Sequence, residues 1–211
     1  MKKAIIFDLD GTLWDASKEV TVSWNEALKT ITDFNLQIDQ KDMMSFMGHL
    51  LFDIGRMMLP KNLSDVRVEE IINLCIEYEH AYLREHGAPL YENVRSTLTE
   101  LKKEYELYIV SNCQAGYIEV FLDYTKMWDV FADYECPGRT GLLKGDNIKL
   151  ICERNGVEKA VYVGDTDGDY KATCYAGLPF IHAAYGYGKP HEQTAAIKRF
   201  EELVDAINTL M

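Results

Sequence analysis

Two aspartates near the start of the chain stand where a short apolar segment gives way to a turn. Residues 4–7 form an apolar run that is too short for a helix, and Asp8, Asp10, Gly11 and Thr12 follow it. Carboxylates two residues apart on an extended chain point to the same side, and Gly11 permits a backbone turn directly after them. Paired acids at the end of a buried strand are a plausible place for carboxylate chemistry, although a strand that runs into an ordinary Asx-type turn would have the same residues.

Two later predicted strands, residues 105–110 and 159–164, are also followed by small polar or acidic residues. The polar residues at the three segment ends are Asp8 and Asp10, Ser111 and Asn112, and Asp165, Asp167 and Asp169. In an open parallel sheet the ligand crevice lies outside the carboxyl ends of the strands. The three groups are therefore expected to converge in space, and this convergence favours a functional site. Asp167 is expected to be a solvated turn residue.

The elements that would position these residues fall into two regions. Between about Lys18 and Gly87 the apolar residues follow helical spacing, and no strand is predicted there. Asp39 and Ser64 stand where the N-caps of two of these helices would lie. The region resembles a small helical bundle that is inserted into another fold.

From Pro89 onwards, predicted helices and strands alternate, which is typical of parallel strands joined by right-handed crossovers. The strands predicted in this region are residues 105–110, 130–136, 159–164 and 179–185. Asp146 is predicted to cap a helix that stops at Asn155 and Gly156. An amphipathic helix is predicted from Ile197 to the end of the chain.

Composition excludes several classes of partner. The 211 residues carry a formal net charge of −12, which argues against nucleic acids and anionic membranes, because binding to these requires a basic surface. The five cysteines form no CxxC pair and are typical of reduced thiols in a cytoplasmic protein. Only four apolar residues follow Met1–Lys3, and no stretch approaches the ~18 apolar residues of a membrane helix, so a soluble protein is predicted.

Four segments of the sequence resemble the motifs of the haloacid dehalogenase-like hydrolase superfamily. They are FDLDGTLWD, IVSNC, the lysine in LLKGDN, and VGDTDGD, and they occur in the family's order across nearly the whole chain. The resemblance implies a doubly wound α/β core of the Rossmann-like type with an inserted helical cap. The core is predicted to comprise residues 1–15 and 88–211, and the cap residues 16–87.

The resemblance also implies a reaction, the hydrolysis of a phosphate monoester. This reaction is so slow without a catalyst that a barrier reduction on the order of 20 kcal/mol is required, more than a general acid alone supplies. Asp8 resembles the family's nucleophile, which would form an aspartyl-phosphate, and Asp10 its acid and base. Their environments must then keep Asp8 ionised and leave Asp10 able to carry a proton. Gly11 and Thr12 complete this first motif.

The cofactor implied by the resemblance is Mg²⁺, which prefers oxygen ligands. The implied ligands are Asp8, the backbone carbonyl of Asp10, and Asp165, with Asp169 behind them to orient a bound water or the lysine. Ser111 and Asn112 would donate hydrogen bonds to the phosphoryl oxygens.

The lysine that neutralises the phosphoryl group is assigned to Lys144. Lys149 is close in sequence, but Lys144 precedes the predicted helix and Lys149 lies within it. Many relatives have proline after this lysine, where this chain has Gly145, so the course of the loop is left open. In the cap, Gly48, His49 and Arg56 lie where relatives place residues that face the substrate.

The predicted function is a Mg²⁺-dependent phosphatase of a small phosphorylated metabolite, similar to phosphoglycolate phosphatases. A phosphomutase of the β-phosphoglucomutase type is the main alternative, because it shares the core motifs. A non-enzymatic phosphoacceptor switch uses similar residues, but the cap and the Asp8–Asp10 spacing disfavour it. A dehalogenase is disfavoured because those relatives lack the second acid, which this chain has as Asp10. A phosphonate hydrolase is disfavoured because it would need a cap lysine in an apolar setting, and none of Lys18, Lys29, Lys41 and Lys61 has one. A monomer is expected, with a dimer as the alternative.

Overall fold

A six-stranded parallel sheet lies at the centre of the computed structural model, which describes residues 2–32, 34–192 and 195–210. The strands are β1 (Lys3–Phe7), β2 (Glu106–Val110), β3 (Asp133–Glu135), β4 (Lys159–Gly164), β5 (Phe180–Ala183) and β6 (Ala195–Ile197). Their order across the sheet is β3-β2-β1-β4-β5-β6, and all five pairings are parallel. The predicted doubly wound α/β architecture is therefore confirmed.

The first strand occupies a middle position in the sheet because both of its faces are apolar. Ile5 and Phe7 belong to one hydrophobic cluster, and Ala4 and Ile6 belong to a second cluster on the other face. Alternate side chains of a strand point to opposite faces, so a strand without polar alternation must be covered on both sides. This burial holds the end of β1, and with it Asp8, in a fixed position.

Four helices follow β1 before the next strand begins. They are α1 (Ser17–Lys29), α2 (Gln40–Phe46), α3 (Leu51–Met58) and α4 (Asp65–His86). The predicted N-caps are confirmed, because the Asp39 carboxylate accepts a hydrogen bond from the backbone N–H of Asp42, and the Ser64 hydroxyl accepts one from that of Arg67. We call residues 17–86, which hold these helices, the helical region.

The chain enters and leaves the helical region through two segments that lie side by side. The Asp15 N–H donates to the Pro89 carbonyl at 2.9 Å, and the Tyr91 N–H donates to the Leu13 carbonyl at 3.1 Å. Trp14 lies between these bonds and forms an antiparallel bridge with Leu90. We call this pair of segments the linker ribbon.

The remaining helices alternate with the strands. They are α5 (Val94–Leu101), α6 (Tyr117–Thr125), α7 (Pro137–Thr140), α8 (Lys144–Arg154), α9 (Asp167–Ala176) and α10 (Leu203–Leu210), with a 3₁₀ turn at Phe200–Glu202. Within the described residues, no helix combines the length and the apolar character that crossing a membrane requires.

Three predictions about this part of the chain were wrong in detail. Asp146 does not cap α8, which begins at Lys144 with Leu143 in the N-cap position, so Lys144 lies in the first turn of the helix and does not precede it. Ile197 ends the short strand β6, and the terminal helix starts only at Leu203. The strand predicted at 130–136 is limited to β3, because hydrogen bonding to β2 reaches only three residues.

Candidate active site

The carboxyl ends of three neighbouring strands bring the acidic residues together. Phe7 pairs with Ile109 on β2 and with Val163 on β4, so the residues that follow these strands emerge at one edge of the sheet. Asp8, Asp165 and Asp169 each place a carboxylate oxygen within 4.8 Å of the others, and all three residues are buried. We call these three residues the acidic cluster.

Lys144 connects two members of the acidic cluster. Its ammonium group lies 2.8 Å from Asp8 Oδ1 and 2.5 Å from Asp169 Oδ1, and it is 4% exposed. Burial opposes the charged form of the amine, but the charges of Asp169 and Asp8 raise the pKa of Lys144 above its usual range. The lysine therefore carries a positive charge between the carboxylates of Asp8 and Asp169. Lys149 instead lies over the ring of Tyr175.

Asp169 is positioned from two directions. Its Oδ2 accepts hydrogen bonds from the backbone N–H and the hydroxyl of Thr166, at 2.9 and 2.7 Å, in the capping box that begins α9. Its Oδ1 accepts the hydrogen bond from Lys144. Because both oxygens already have partners, the contacts of Asp169 are those of a residue that orients the lysine.

Asp165 has one oxygen that is satisfied and one that is not. Its Oδ2 accepts the backbone N–H groups of Tyr187 and Gly188 at 2.7 and 3.2 Å. Its Oδ1 is buried without a hydrogen-bond partner, and an unpaired buried oxygen of this kind is costly. Burial and the charge of Asp169 raise the pKa of Asp165 well above its usual range.

The acidic cluster fits a divalent cation. Burial, reinforced by the charge of Asp169 and opposed by Lys144, raises the pKa of Asp8 to about 6. Three buried carboxylates share a single lysine, so a cation between Asp8 and Asp165 would offset the remaining charge and would give Asp165 Oδ1 a partner. The donor set, which consists only of oxygen atoms, matches the preference of Mg²⁺.

Asp10 has a different environment from that of Asp8. Its Oδ1 accepts hydrogen bonds from the indole N–H of Trp14 at 2.9 Å and from the hydroxyl of Tyr117 at 2.8 Å. Burial raises the pKa of Asp10 to about 8, although the hydrogen bond from Tyr117 opposes this shift. The carboxyl group of Asp10 therefore holds a proton more readily than that of Asp8, and the two donors on Oδ1 leave Oδ2 to carry it. The predicted separation of the two acids is present in their electrostatics.

Gly11 has a positive φ of 79°, and a Cβ atom on it would overlap the Asp165 carboxylate. Its neighbour Thr12 is fully buried; the Thr12 carbonyl accepts the hydroxyl of Tyr185 at 2.9 Å, while the Thr12 hydroxyl has no partner. Gly11 and Thr12 therefore help to hold the residues of the site in position.

Gly11→Ala is expected to lower both stability and turnover. A left-handed backbone costs an alanine roughly 1–2 kcal/mol, and the new methyl group would also displace Asp165. Gly141→Ala is the matched control, because Gly141 has a φ of 72° and nothing within 4 Å of the new atom. Chemical denaturation should show a loss in both variants, larger for Gly11→Ala because of the overlap with Asp165, whereas phosphatase assays should show a loss only for Gly11→Ala. Equal activity in the two variants would contradict the role of Gly11 in seating Asp165.

Residues from the helical region close over the acidic cluster. The Asn112 amide nitrogen donates to the Gly48 carbonyl at 2.9 Å, and the loop at Gly48 also approaches Thr166 at the start of α9. Ser111 is buried, and its hydroxyl lies within hydrogen-bonding reach of Asp8. His49 is exposed but contributes to the wall of the cavity above Asp8. The predicted residues Ser111, Asn112, Gly48 and His49 therefore lie in one place.

Arg56 and Asp167, two residues singled out in the sequence, make their contacts outside the acidic cluster. Arg56 is directed to the Leu63 carbonyl at 2.9 Å and pairs with Asp65 inside the helical region, and it is not among the residues that line the cavity. Asp167 begins α9, where its carboxylate pairs with Lys171 at 2.7 Å and with His191 at 2.8 Å. Neither side chain joins the acidic cluster.

The cavity above Asp8 contains polar residues that sequence reasoning missed. Its wall includes Glu79 from α4, Gln114 from the loop after β2, and Tyr117 from α6. Glu79 could have been found from the sequence, because it stands seven residues after Ile72 and four after Cys75. It is therefore an acidic residue on the apolar face of its helix. Gln114 and Tyr117 could not have been found in this way, since their roles depend on how α4 and α6 pack together.

Comparison with known proteins agrees with this geometry. The sequence model of the haloacid dehalogenase-like hydrolase family matches residues 5–183. A phosphoglycolate phosphatase from Aquifex aeolicus is 30% identical over 205 residues, which cover 90% of this chain and 89% of that protein. A glyceraldehyde 3-phosphate phosphatase from Methanocaldococcus jannaschii is 28% identical, with 100% and 99% covered.

Among solved structures, a haloacid dehalogenase-like family hydrolase from Streptococcus pneumoniae superposes with a TM-score of 0.82 at 23% identity. The superposition covers 97% of this chain and 98% of that one. At this identity the likeness shows the fold alone, and the fold is the one described above.

Proposed function

Because this chain belongs to the haloacid dehalogenase-like hydrolase family, we propose that it is a Mg²⁺-dependent phosphatase that hydrolyses a small phosphorylated metabolite through an aspartyl-phosphate. The resemblance found in the four sequence motifs is confirmed by the family match and by the fold. The observation that carries the proposal is the convergence of Asp8, Asp165, Asp169 and Lys144 at one edge of the sheet.

In the first step, a carboxylate oxygen of Asp8 attacks phosphorus, and the bond between phosphorus and the substrate's alcohol oxygen breaks. Asp10 gives its proton to the departing alkoxide. In the second step, Asp10 takes a proton from a water molecule, whose oxygen attacks the phosphorus of the aspartyl-phosphate. The bond between phosphorus and the Asp8 oxygen breaks, which releases inorganic phosphate and restores the Asp8 carboxylate. Lys144 and the Ser111 hydroxyl would stabilise the charge on the phosphoryl oxygens in both steps.

Asp8, the backbone carbonyl of Asp10, and Asp165 would hold the Mg²⁺ ion, with Asp169 behind them. When bound, the ion would supply positive charge against the phosphoryl oxygens. The unpartnered Asp165 Oδ1 supports this assignment, since it is the one carboxylate oxygen of the acidic cluster that is buried without a hydrogen bond.

We assign residues 16–87 to the cap domain and residues 1–15 and 88–211 to the core. The helical region and the adjacent linker ribbon support this division. Gly48 and His49 from the cap, together with Asn112 from the core, would then exclude water from the aspartyl-phosphate until the alcohol has left.

The proposal is tested by assaying a panel of phosphate esters with Mg²⁺ and measuring free phosphate. The panel contains p-nitrophenyl phosphate, phosphoglycolate, glyceraldehyde 3-phosphate and hexose phosphates, because the relatives' names make the second and third compounds reference substrates. Release of phosphate with many turnovers per enzyme is expected. Conversion of a hexose phosphate to an isomer without release of free phosphate would instead indicate the mutase. Phosphorylation of the protein once, without turnover, would indicate a phosphoacceptor switch.

Asp10→Asn is expected to lower kcat for alkyl phosphates by about 10²–10⁴-fold, the usual contribution of a general acid. With p-nitrophenyl phosphate, whose leaving group needs no proton, the first step should survive while hydrolysis of the aspartyl-phosphate becomes slow. A burst of p-nitrophenol equal to the enzyme concentration, measured in a stopped-flow instrument, should therefore precede slow turnover. Equal losses in the burst and in the steady state would contradict the assignment of Asp10 as acid and base.

A further inference from the structure

Glu79 is an acidic residue of the helical region that the reaction steps above do not use. It lies on α4, is 4% exposed, and lines the same cavity as Asp8 and Asp10. Its Oε1 accepts a hydrogen bond from the amide of Gln114 at 2.6 Å, and its Oε2 accepts one from the indole of Trp24 at 2.5 Å. These two bonds fix the carboxylate in the wall of the cavity and leave lone pairs on both oxygens for another donor.

In the part of the chain that the structure describes, Glu79 has no lysine or arginine among its hydrogen-bond partners, which are an amide and an indole, and none lines the cavity. His49 also lines the cavity, and the ring of His80 lies 3.1 Å from the same Gln114 amide; burial lowers the pKa of His80, which favours its neutral form. Burial raises the pKa of Glu79 to about 7, against the two hydrogen bonds. A buried carboxylate without a counter-charge is costly, so a cation that enters the cavity would be favoured.

The surroundings of Glu79 are also suited to a cation that carries carbon atoms. Trp24 and Tyr117 line the cavity, and so do the apolar residues Val20, Met43 and Ile54. Aromatic rings attract ammonium groups that approach their faces, most strongly where water is excluded. Apolar walls accept the carbon skeleton that would join such a group to the phosphate.

A carboxylate in the substrate would meet the opposite conditions. It would lie in a buried cavity beside Glu79, where like charges repel strongly, and Lys144 is already engaged by Asp8 and Asp169. A substrate such as phosphoglycolate, whose alcohol portion ends in a carboxylate, is therefore disfavoured by this chain.

We propose that Glu79 is a specificity-determining residue that selects phosphate monoesters whose alcohol portion carries a protonated amine and rejects those that carry a carboxylate. This inference rests on the proposed phosphatase function and narrows its substrate class. It would also separate this chain in substrate class from the phosphoglycolate phosphatase of Aquifex aeolicus, to which it is 30% identical.

The test uses two esters that share a two-carbon skeleton. O-phosphoethanolamine ends in an ammonium group and phosphoglycolate ends in a carboxylate. The measured quantity is the ratio of kcat/KM for the first ester to kcat/KM for the second, in the presence of Mg²⁺. Both values come from the same preparation, so the ratio does not depend on how much of the protein is active.

The variants are Glu79→Gln, which keeps the shape of the side chain, removes its charge and can still accept a hydrogen bond from one of its two donors, and Glu77→Gln as its control. Glu77 lies on the same helix and is exposed. The ratio in the wild type is expected to exceed ten, to fall at least tenfold in Glu79→Gln, and to stay within twofold of the wild type in Glu77→Gln. The thermal unfolding midpoint of each variant shows that it is folded.

Hydrolysis of p-nitrophenyl phosphate distinguishes a failure of the assignment of Glu79 from a failure of the proposed phosphatase function. If that compound is hydrolysed but the wild-type ratio is below ten, or Glu79→Gln changes the ratio less than threefold, the assignment of Glu79 is overturned and the phosphatase function stands. If neither p-nitrophenyl phosphate nor either ester is hydrolysed, the proposed function is overturned, and the inference falls with it.

Discussion

Asp8→Asn is expected to lower kcat by about four orders of magnitude or more, as the loss of a nucleophile does in other enzymes that form covalent intermediates. The amide has nearly the shape of the carboxylate but cannot attack phosphorus, so no aspartyl-phosphate forms. The substitution also removes the negative charge beside Lys144, whose ammonium group donates a hydrogen bond to Asp8 Oδ1 at 2.8 Å. Two quantities are measured: the steady-state rate of phosphate release, and the amount of phosphorylated protein that an acid quench traps when the phosphoryl group of the substrate carries a label.

Asp205→Asn is the control for this experiment, because Asp205 is an exposed aspartate on α10, away from the acidic cluster. It should retain wild-type turnover, and the wild type should yield a phosphorylated protein that Asp8→Asn does not. Turnover within tenfold of the wild type in Asp8→Asn would refute the covalent mechanism. Labelling of the Asp8→Asn protein at an equal level would refute the assignment of Asp8.

Removal of divalent cations with a chelator is expected to abolish turnover, and addition of Mg²⁺ should restore it. A second readout does not depend on activity. At a Mg²⁺ concentration 100 times its dissociation constant, binding to the folded state should stabilise it by about 2.7 kcal/mol. For a chain of this size, that gain corresponds to a rise of roughly 5–11 °C in the thermal unfolding midpoint.

Asp165→Asn should lose both effects, because it weakens the oxygen donors of the acidic cluster where Asp165 Oδ1 is unpartnered. Asp167→Asn is the matched control, since Asp167 stands two residues later in the same motif but pairs with Lys171 and His191. Its unfolding midpoint should still rise with Mg²⁺. If the midpoint of Asp165→Asn rises as much as that of the wild type, Asp165 is not a ligand of the ion.

The sequence predicted most of the sheet and the acidic part of the site, for a simple geometrical reason. The ends of parallel strands meet at one edge, so Asp8, Ser111 and Asp165 had to converge once β1, β2 and β4 were neighbours. Strands of five or six residues that are mainly apolar, such as β1, β2 and β4, carry a clear signal. β6, with three residues, is too short to carry one, and its first two residues are exposed.

What the sequence did not predict depends on contacts between distant elements. The two donors that hold Asp10 come from the linker ribbon and from α6, and the latter, Tyr117, is 107 positions away in the chain. Glu79 meets Gln114 across 35 positions, and no local pattern records that meeting. Lys144 was preferred to Lys149 because it was expected to precede its helix, and that reason was wrong, since Lys144 lies in the first turn of α8. Its side chain nevertheless contacts Asp8 and Asp169.

The two segments of the linker ribbon are hydrogen-bonded to each other, so they would act as one hinge in any rotation of the helical region. Points on a rotation axis move least. Trp14 lies between the two hydrogen bonds of the ribbon and holds Asp10 through its indole, whereas Gly48 belongs to the helical region and accepts a hydrogen bond from Asn112. Such a rotation would therefore change the contact between Gly48 and Asn112 more than the contact between Trp14 and Asp10.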